Sequence, residues 1–141
     1  MESARLLDSR FGRLAMQFGK FGVVGVVGFL VDTLAVYGFL ALGLEFYAAR
    51  IPSFFTAATT TWLLNRSFTF RGAAPEPLHR QWAKFLAANA VGGVVNYGVS
   101  VALVAGFDIV AAHPVLAVAA GSLAGMLFNF TAAKRLVFKG A

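Results

Sequence analysis

The sequence predicts an all-α, polytopic membrane protein: four transmembrane helices arranged as two parallel two-helix repeats, with both termini cytoplasmic. Three observations predict it. Of the 141 residues, 59% are hydrophobic and 13% charged, against about 25% charged in a soluble domain. The apolar residues gather in four stretches, near 21–42, 47–64, 85–107 and 114–133, each close to the ~20 residues that cross ~30 Å of hydrocarbon. Polar landmarks of the first half recur in the second at a fixed spacing.

Residues 1–20 predict a cytoplasmic amphipathic segment. Leu7, Phe11, Leu14 and Phe18 fall at i, i+4, i+7 and i+11, with Arg and Asp between them, which makes one apolar helix face opposite a basic one. A cleavable signal is not expected: Glu2 and Asp8 interrupt the segment, and it has no long apolar core or small-residue cleavage site. Residues 21–71 form the first predicted transmembrane hairpin. Residues 72–84 form a cytoplasmic linker, where Pro75 and Pro77 oppose helix before Leu78, Trp82 and Phe85 lead in amphipathically. Residues 85–141 form the second hairpin.

Orientation follows from the basic residues. Eleven of the twelve Lys and Arg flank the outer ends of the hairpins: Arg5, Arg10, Arg13, Lys20, Arg66, Arg71, Arg80, Lys84, Lys134, Arg135 and Lys139. Only Arg50 falls on the other side, where the short loops carry Glu45 and Asp108. The positive-inside rule then places the termini and the linker in the cytoplasm. The net charge of +6 is explained by the membrane surface, not by nucleic acid. The chain has no Cys, and His79 and His113 are too far apart to form a ligand pair, so neither a disulfide nor a metal is expected.

The repeat is carried by polar positions. Gln17-Phe18-Gly19-Lys20-Phe21 matches Gln81-Trp82-Ala83-Lys84-Phe85, 64 residues on. At the same spacing Gly28 matches Gly92, Asp32 matches Asn96, and Asn65 matches Asn129. Four extra residues then follow in the second copy, so that Thr69-Phe70-Arg71-Gly72 pairs with Val137-Phe138-Lys139-Gly140. Two crossings per copy give both the same orientation.

Polar side chains within the spans mark candidate sites. Asp32 lies twelve residues past Lys20, ~18 Å along a helix, near mid-bilayer. A carboxylate there costs ~2.5–3.5 kcal/mol to insert and needs a partner. Gly25 and Gly28 share its face, and Asn89, Gly92, Gly93 and Asn96 repeat the pattern in the third span. Two uses of Asp32 stay open: a ligand contact, or a buried hydrogen bond to Asn96 or to a Thr of the second span. Asn89 and Asn96 are expected to make interhelical hydrogen bonds, and Gly121-x-x-x-Gly125 to be a packing stripe. A second cluster lies at the cytoplasmic ends. Lys20 and Lys84 open spans one and three, where helix N-termini favour anions, while Asn65-Arg66 and Asn129 with Lys134-Arg135 close spans two and four. Together they make a credible phosphate site. The charged chemistry is expected mainly in the first half, and the walls in the second. No nucleophile–base pair, metal cluster or nucleotide loop is present, so no enzyme and no cofactor are expected.

These motifs resemble the GtrA-like family of small four-helix membrane proteins. Lys20-Phe21-Gly22-Val23-Val24-Gly25 is similar to its span-one opening, Asp32 to its intramembrane acid, and Asn65-Arg66-Ser67-Phe68-Thr69-Phe70 to its span-two exit. Phe128-Asn129 and Lys134-Arg135-Leu136-Val137-Phe138 resemble its ending, although the second half lacks the Asn-Arg pair. The resemblance implies translocation of a polyprenyl-phosphate-linked sugar for cell-surface polysaccharide synthesis, in the bacterial inner membrane. Lys20, Lys84, Arg66 and Arg135 would then hold the phosphate, and Asp32, Asn89 and Asn96 the sugar. A homodimer is expected, because four helices are few to enclose a polar path. Two alternatives remain: an accessory anchor for a membrane glycosyltransferase, and a small proton-coupled exporter using Asp32.

Overall fold

A computed structural model describes residues 2–141, with the side chains of residues 3, 4 and 6–8 left out of the description. Leu7 of the predicted amphipathic face and Asp8 therefore lie outside the described side chains. The regular structure of the described residues is all helix, with no strand. It forms two compact units, one ending at Ala74 and one spanning Pro75–Gly140.

The first unit is a hairpin of α1 (Glu2–Ala41) and α2 (Phe46–Leu64). The predicted amphipathic segment and first span are one continuous 40-residue helix, because no Pro interrupts 2–41. It ends in a Schellman motif. The Leu44 N–H bonds the Phe39 carbonyl and the Gly43 N–H bonds that of Leu40, with Gly43 at φ 95°, a conformation that glycine takes without a Cβ penalty. Glu45 then caps α2, its Oε1 accepting from the Ala48 N–H at 2.9 Å.

The second unit pairs α3 (Leu78–Gly106) with α5 (Pro114–Ala132). Pro77 caps α3, and the amphipathic lead-in at 78–85 is again part of the helix itself. A short helix, α4 (Asp108–Ala112), fills the loop, and Pro114 starts α5 at its first turn, where its missing N–H costs nothing.

Each hairpin closes on a single turn of π-helix, at Asn65–Thr69 and at Ala133–Val137. The defining bonds run from the Phe70 N–H to the Asn65 carbonyl at 2.8 Å and from the Phe138 N–H to the Ala133 carbonyl at 2.7 Å. Phe70 and Phe138, both 0% exposed, are thereby placed edge-on against Phe21 and Phe85, with centroids 6.2 and 6.0 Å apart and an interplanar angle of 61° in both pairs. Gly72 and Gly140 follow, at φ 80° and 82°.

These landmarks correct the alignment of the halves. α2 and α5 begin 68 residues apart, as do the two π-turns. The four extra residues therefore lie in the loop that holds α4, not after Asn129. Asn65 stands opposite Ala133, and Asn129 opposite Thr61. Four residues are about one helical turn, so the shifted alignment keeps each Asn on nearly the same face, which is why the spacing of 64 looked consistent.

Among the described residues, three helical stretches are long and apolar enough to cross a membrane: Ser9–Ala41, Leu78–Gly106 and Pro114–Val137. The 19 residues of α2 are not among them, because Arg50, Pro52, Ser53 and four Thr dilute its apolar content.

Within each hairpin the helices touch through small residues. A Cβ on Gly28 would overlap the Thr61 methyl, and one on Gly92 would overlap the Asn129 amide. Gly121 and Gly125 pack on Asn96 of α3, as the packing stripe requires. Gly25 and Gly93, by contrast, face open space, so they line no contact within their hairpins. Gly121→Ala would drive a methyl into the Asn96 carbonyl and should cost about 1–3 kcal/mol. Gly93→Ala should be neutral or stabilising. Unfolding midpoints in mixed detergent check both.

Candidate functional site

Asp32 is held by a residue of α2. The Arg50 Nη1 donates to its Oδ2 at 2.8 Å, so the partner is Arg50, not Asn96 or a Thr. The short loop explains how they meet. Asp32 lies nine residues before the end of α1 and Arg50 four past the start of α2. At 1.5 Å per residue their levels differ by about 8 Å, which the long Arg side chain spans. The pair neutralises a charge that would be costly alone in lipid. The Asp32 Oδ1 is buried without a hydrogen-bond partner. At the matching positions of the second hairpin stand Asn96 and Val118: where the carboxylate becomes an amide, the cation is gone.

At the π-turn end of the first hairpin, Lys20 Nζ lies 5.0 Å from the centre of the Phe68 ring, a cation–π contact. Asn65 is 1% exposed, and its Oδ1 accepts from Thr69 Oγ1 at 2.7 Å. Its side chain thus braces the π-turn and is turned away from solvent. Arg66 is exposed. The hairpin therefore brings Lys20 to the turn that carries Arg66, and keeps Asp32 about 18 Å further along α1.

In the second hairpin, Ser100 Oγ lies 3.0 Å from the Ala117 carbonyl of α5 and 2.9 Å from that of Asn96. One hydroxyl proton is shared between a cross-helix bond and its own helix. Asn96 Oδ1 lies 3.5 Å from the same hydroxyl, so Asn96 belongs to the helix contact. Asn129 packs on Gly92, with its Oδ1 buried and unpartnered. Asn89 is half-buried on α3, two turns from Asn96, so the two do not meet. Lys134 is half-buried and Arg135 exposed on the π-turn.

Lys84 makes an ion pair with Glu76 of the linker at 2.5 Å. Lys84 and Lys139 also line a cavity of about 430 Å³, whose walls include Ala88, Val91, Phe128 and Leu136. Charged groups thus stand in the second hairpin as well as the first.

Four residues carry this geometry without having been singled out as site residues. Arg50 was legible as the one cation on its side of the sequence, 18 residues from Asp32 across a tight loop. Lys139 was counted only toward orientation. Phe68 stood within the Asn65–Phe70 exit motif, though not as a partner of Lys20, and Glu76 gave no signal: a linker carboxylate is ordinary until the fold sets it beside a lysine.

Residues 20–140 match the family described as GtrA/DPMS, transmembrane domain. Among curated proteins none matches. The second hairpin's neutral pair suggests a test of the first. Asp32→Asn and Arg50→Val should each destabilise the protein, and the sum of their single effects should exceed the effect of the double variant by a coupling of about 0.5–3 kcal/mol. A double-mutant cycle on detergent unfolding measures it.

Proposed function

The chain belongs to the GtrA/DPMS transmembrane-domain family, and from that premise we propose that it translocates a polyprenyl-phosphate-linked sugar for cell-surface polysaccharide or glycan synthesis. The observation that carries this reading is the chemistry at the π-turn end of each hairpin. Each turn seats a Phe inside and carries cations: Arg66 on the turn that Lys20 reaches, and Lys134 and Arg135 on the other. Such ends suit a lipid-borne phosphate at an interface.

On this reading α2 is the fourth span. Its polar content is offset locally, because Thr56, Thr60 and Thr61 hydroxyls donate to carbonyls one turn back and Arg50 is paired. Most polar side chains of α2 are then satisfied within the helix pair, as lipid demands, while the Asp32 Oδ1 is left without a partner. The hairpins are two parallel copies of one unit, supported by their matching π-turns, Phe pairs and Gly contacts. The basic residues place both termini and the linker in the cytoplasm, in the bacterial inner membrane. Asp32, through its unpartnered Oδ1, offers an acceptor to a sugar hydroxyl, and Asn89 and Asn96 of α3 are further candidates for that role. The chain performs no covalent step, and it works as a homodimer that completes the polar path.

A second reading, an accessory anchor for a membrane glycosyltransferase, is favoured by one observation. The start of α1 lies outside the family match and exposes Phe11 and Leu14, a surface for a partner. The exporter reading is weakened, since Asp32 is engaged by Arg50.

Purified protein in vesicles should accelerate transfer of a fluorescent short-chain polyprenyl-phosphate sugar between leaflets. Combining Arg66→Ala with Arg135→Ala should slow it about tenfold or more, the equivalent of losing one charge-assisted hydrogen bond. Absence of acceleration by the unaltered protein contradicts the reading. Retained binding to a glycosyltransferase in that case supports the anchor instead. Because the chain has no Cys, single cysteines at positions 43 and 74 report topology: 74 should label from the cytoplasm, 43 from outside.

A further inference from the structure

The cavity in the second hairpin combines apolar walls with two cations. Its volume of about 430 Å³ lies in the roughly 300–1,000 Å³ range of small-molecule sites. Its walls are almost wholly apolar, made by Ala87, Ala88 and Val91 of α3 with Phe128 and Ala132 of α5. The exceptions are two lysines, Lys84 and Lys139. An apolar cleft with two cations fits a molecule with a hydrocarbon chain and an anionic head. Neither a wholly polar anion nor a neutral lipid would use both parts.

The first hairpin shows why this cleft is special. There Lys20 lies over the Phe68 ring, so ring and lysine occupy each other. The matching pair in the second hairpin is Lys84 and Leu136, both of which line the cleft. Leu136 offers Lys84 no aromatic face, and Lys84 is held by a carboxylate instead, that of Glu76. Glu76 sits in the 73–77 segment, which has no regular secondary structure, with its side chain 14% exposed. An internal carboxylate thus holds the lysine that an incoming anion needs.

We propose that the cleft between Lys84 and Lys139 is a docking site for a prenyl-chain phosphate, and that Glu76 is a built-in competitor that the phosphate displaces from Lys84. The chain of the lipid lies against Ala88, Val91 and Phe128, and the phosphate bridges the two lysines. This rests on the lipid-phosphate chemistry of the proposed function, and it adds the location of the head group and a device that regulates occupancy. In a phosphomonoester near its dianionic state each oxygen carries more charge than a carboxylate oxygen, and it forms strong charge-assisted bonds with ammonium groups. Displacing Glu76 releases a linker that is otherwise tied to α3. Occupancy of the cleft is thereby coupled to the freedom of the segment joining the two units.

The test is binding of farnesyl phosphate to the full-length protein in detergent, measured by equilibrium dialysis beside farnesol and inorganic phosphate. Farnesyl phosphate should bind at least tenfold more tightly than either, since each lacks half of the recognised chemistry. Lys84→Ala and Lys139→Ala should each weaken it about tenfold, one lost charge-assisted contact. Glu76→Gln should tighten it several-fold, and Ala88→Leu, which fills the cleft, should weaken it without changing charge. Arg80→Ala, an exposed cation off the cleft, should leave affinity unchanged.

Equal weakening by Arg80→Ala would reduce the effect to general surface charge and overturn the proposal. So would unchanged or weaker binding in Glu76→Gln, which is the behaviour of a purely structural ion pair. Farnesol binding as tightly as farnesyl phosphate would overturn it as well. If Lys84→Ala fails to fold, Lys84→Gln and Ala88→Leu carry the same comparison. Failure of sugar-lipid transport in vesicles, with this binding pattern intact, refutes the transport reading and leaves the docking site standing.

Discussion

Helices in lipid gain nothing by hiding apolar surface from water, so a hairpin holds together only where its two backbones can touch. Packing contacts and a few hydrogen bonds must do the work. This constraint accounts for the small residues along α2 and α5. Ala49 and Ser53 are 0% exposed, and the matching positions in α5 are Ala117 and Gly121, buried likewise. Gly28 receives Thr61, and Gly92 receives Asn129. Large side chains such as Phe29, Leu34, Val94 and Val118 are turned outward, where a soluble protein would place polar ones. Once the helices are in contact, the π-turns become possible. Each adds one residue to a turn, rotates the chain's exit, and drives Phe70 or Phe138 into the end of its hairpin. The cations on the same turns are left outside as a consequence.

Taken as copies of one unit, the hairpins have diverged in electrostatics and not in packing. The first spends an ion pair inside the span, Asp32 with Arg50, and covers its terminal lysine with an aromatic ring. The second replaces the ion pair with Asn96 and Val118, and holds its terminal lysine with a linker carboxylate. Phe68, 44% exposed on the π-turn, and Glu76, on the irregular linker, are thus two chemically different partners for equivalent lysines.

The helical class and three of the apolar spans were legible because lipid imposes long apolar runs. What the sequence hid was register and partnership. An insertion of about one turn leaves the helix face nearly unchanged, so Asn65 aligned with Asn129 when the fold sets Asn129 opposite Thr61. Asn65 read as a ligand contact because it adjoins Arg66; its side chain instead braces the π-turn through Thr69. A π-turn has no sequence signature, and without it the neighbour of Lys20 cannot be known. Asp32 announced that it needed a partner, but which cation would reach it depended on the tightness of the Gly43 turn.

The account rests on a lipid phosphate being held by lysines at the π-turn end of a hairpin. The most direct measurement is the dipolar coupling between the phosphorus of farnesyl phosphate and 15N-labelled lysine side chains, by solid-state NMR of the protein in bilayers. Contact of phosphorus with the Nζ of Lys84 and Lys139, lost on replacing either lysine, is the predicted result. Absence of coupling to any lysine, with the lipid demonstrably bound, would contradict the account.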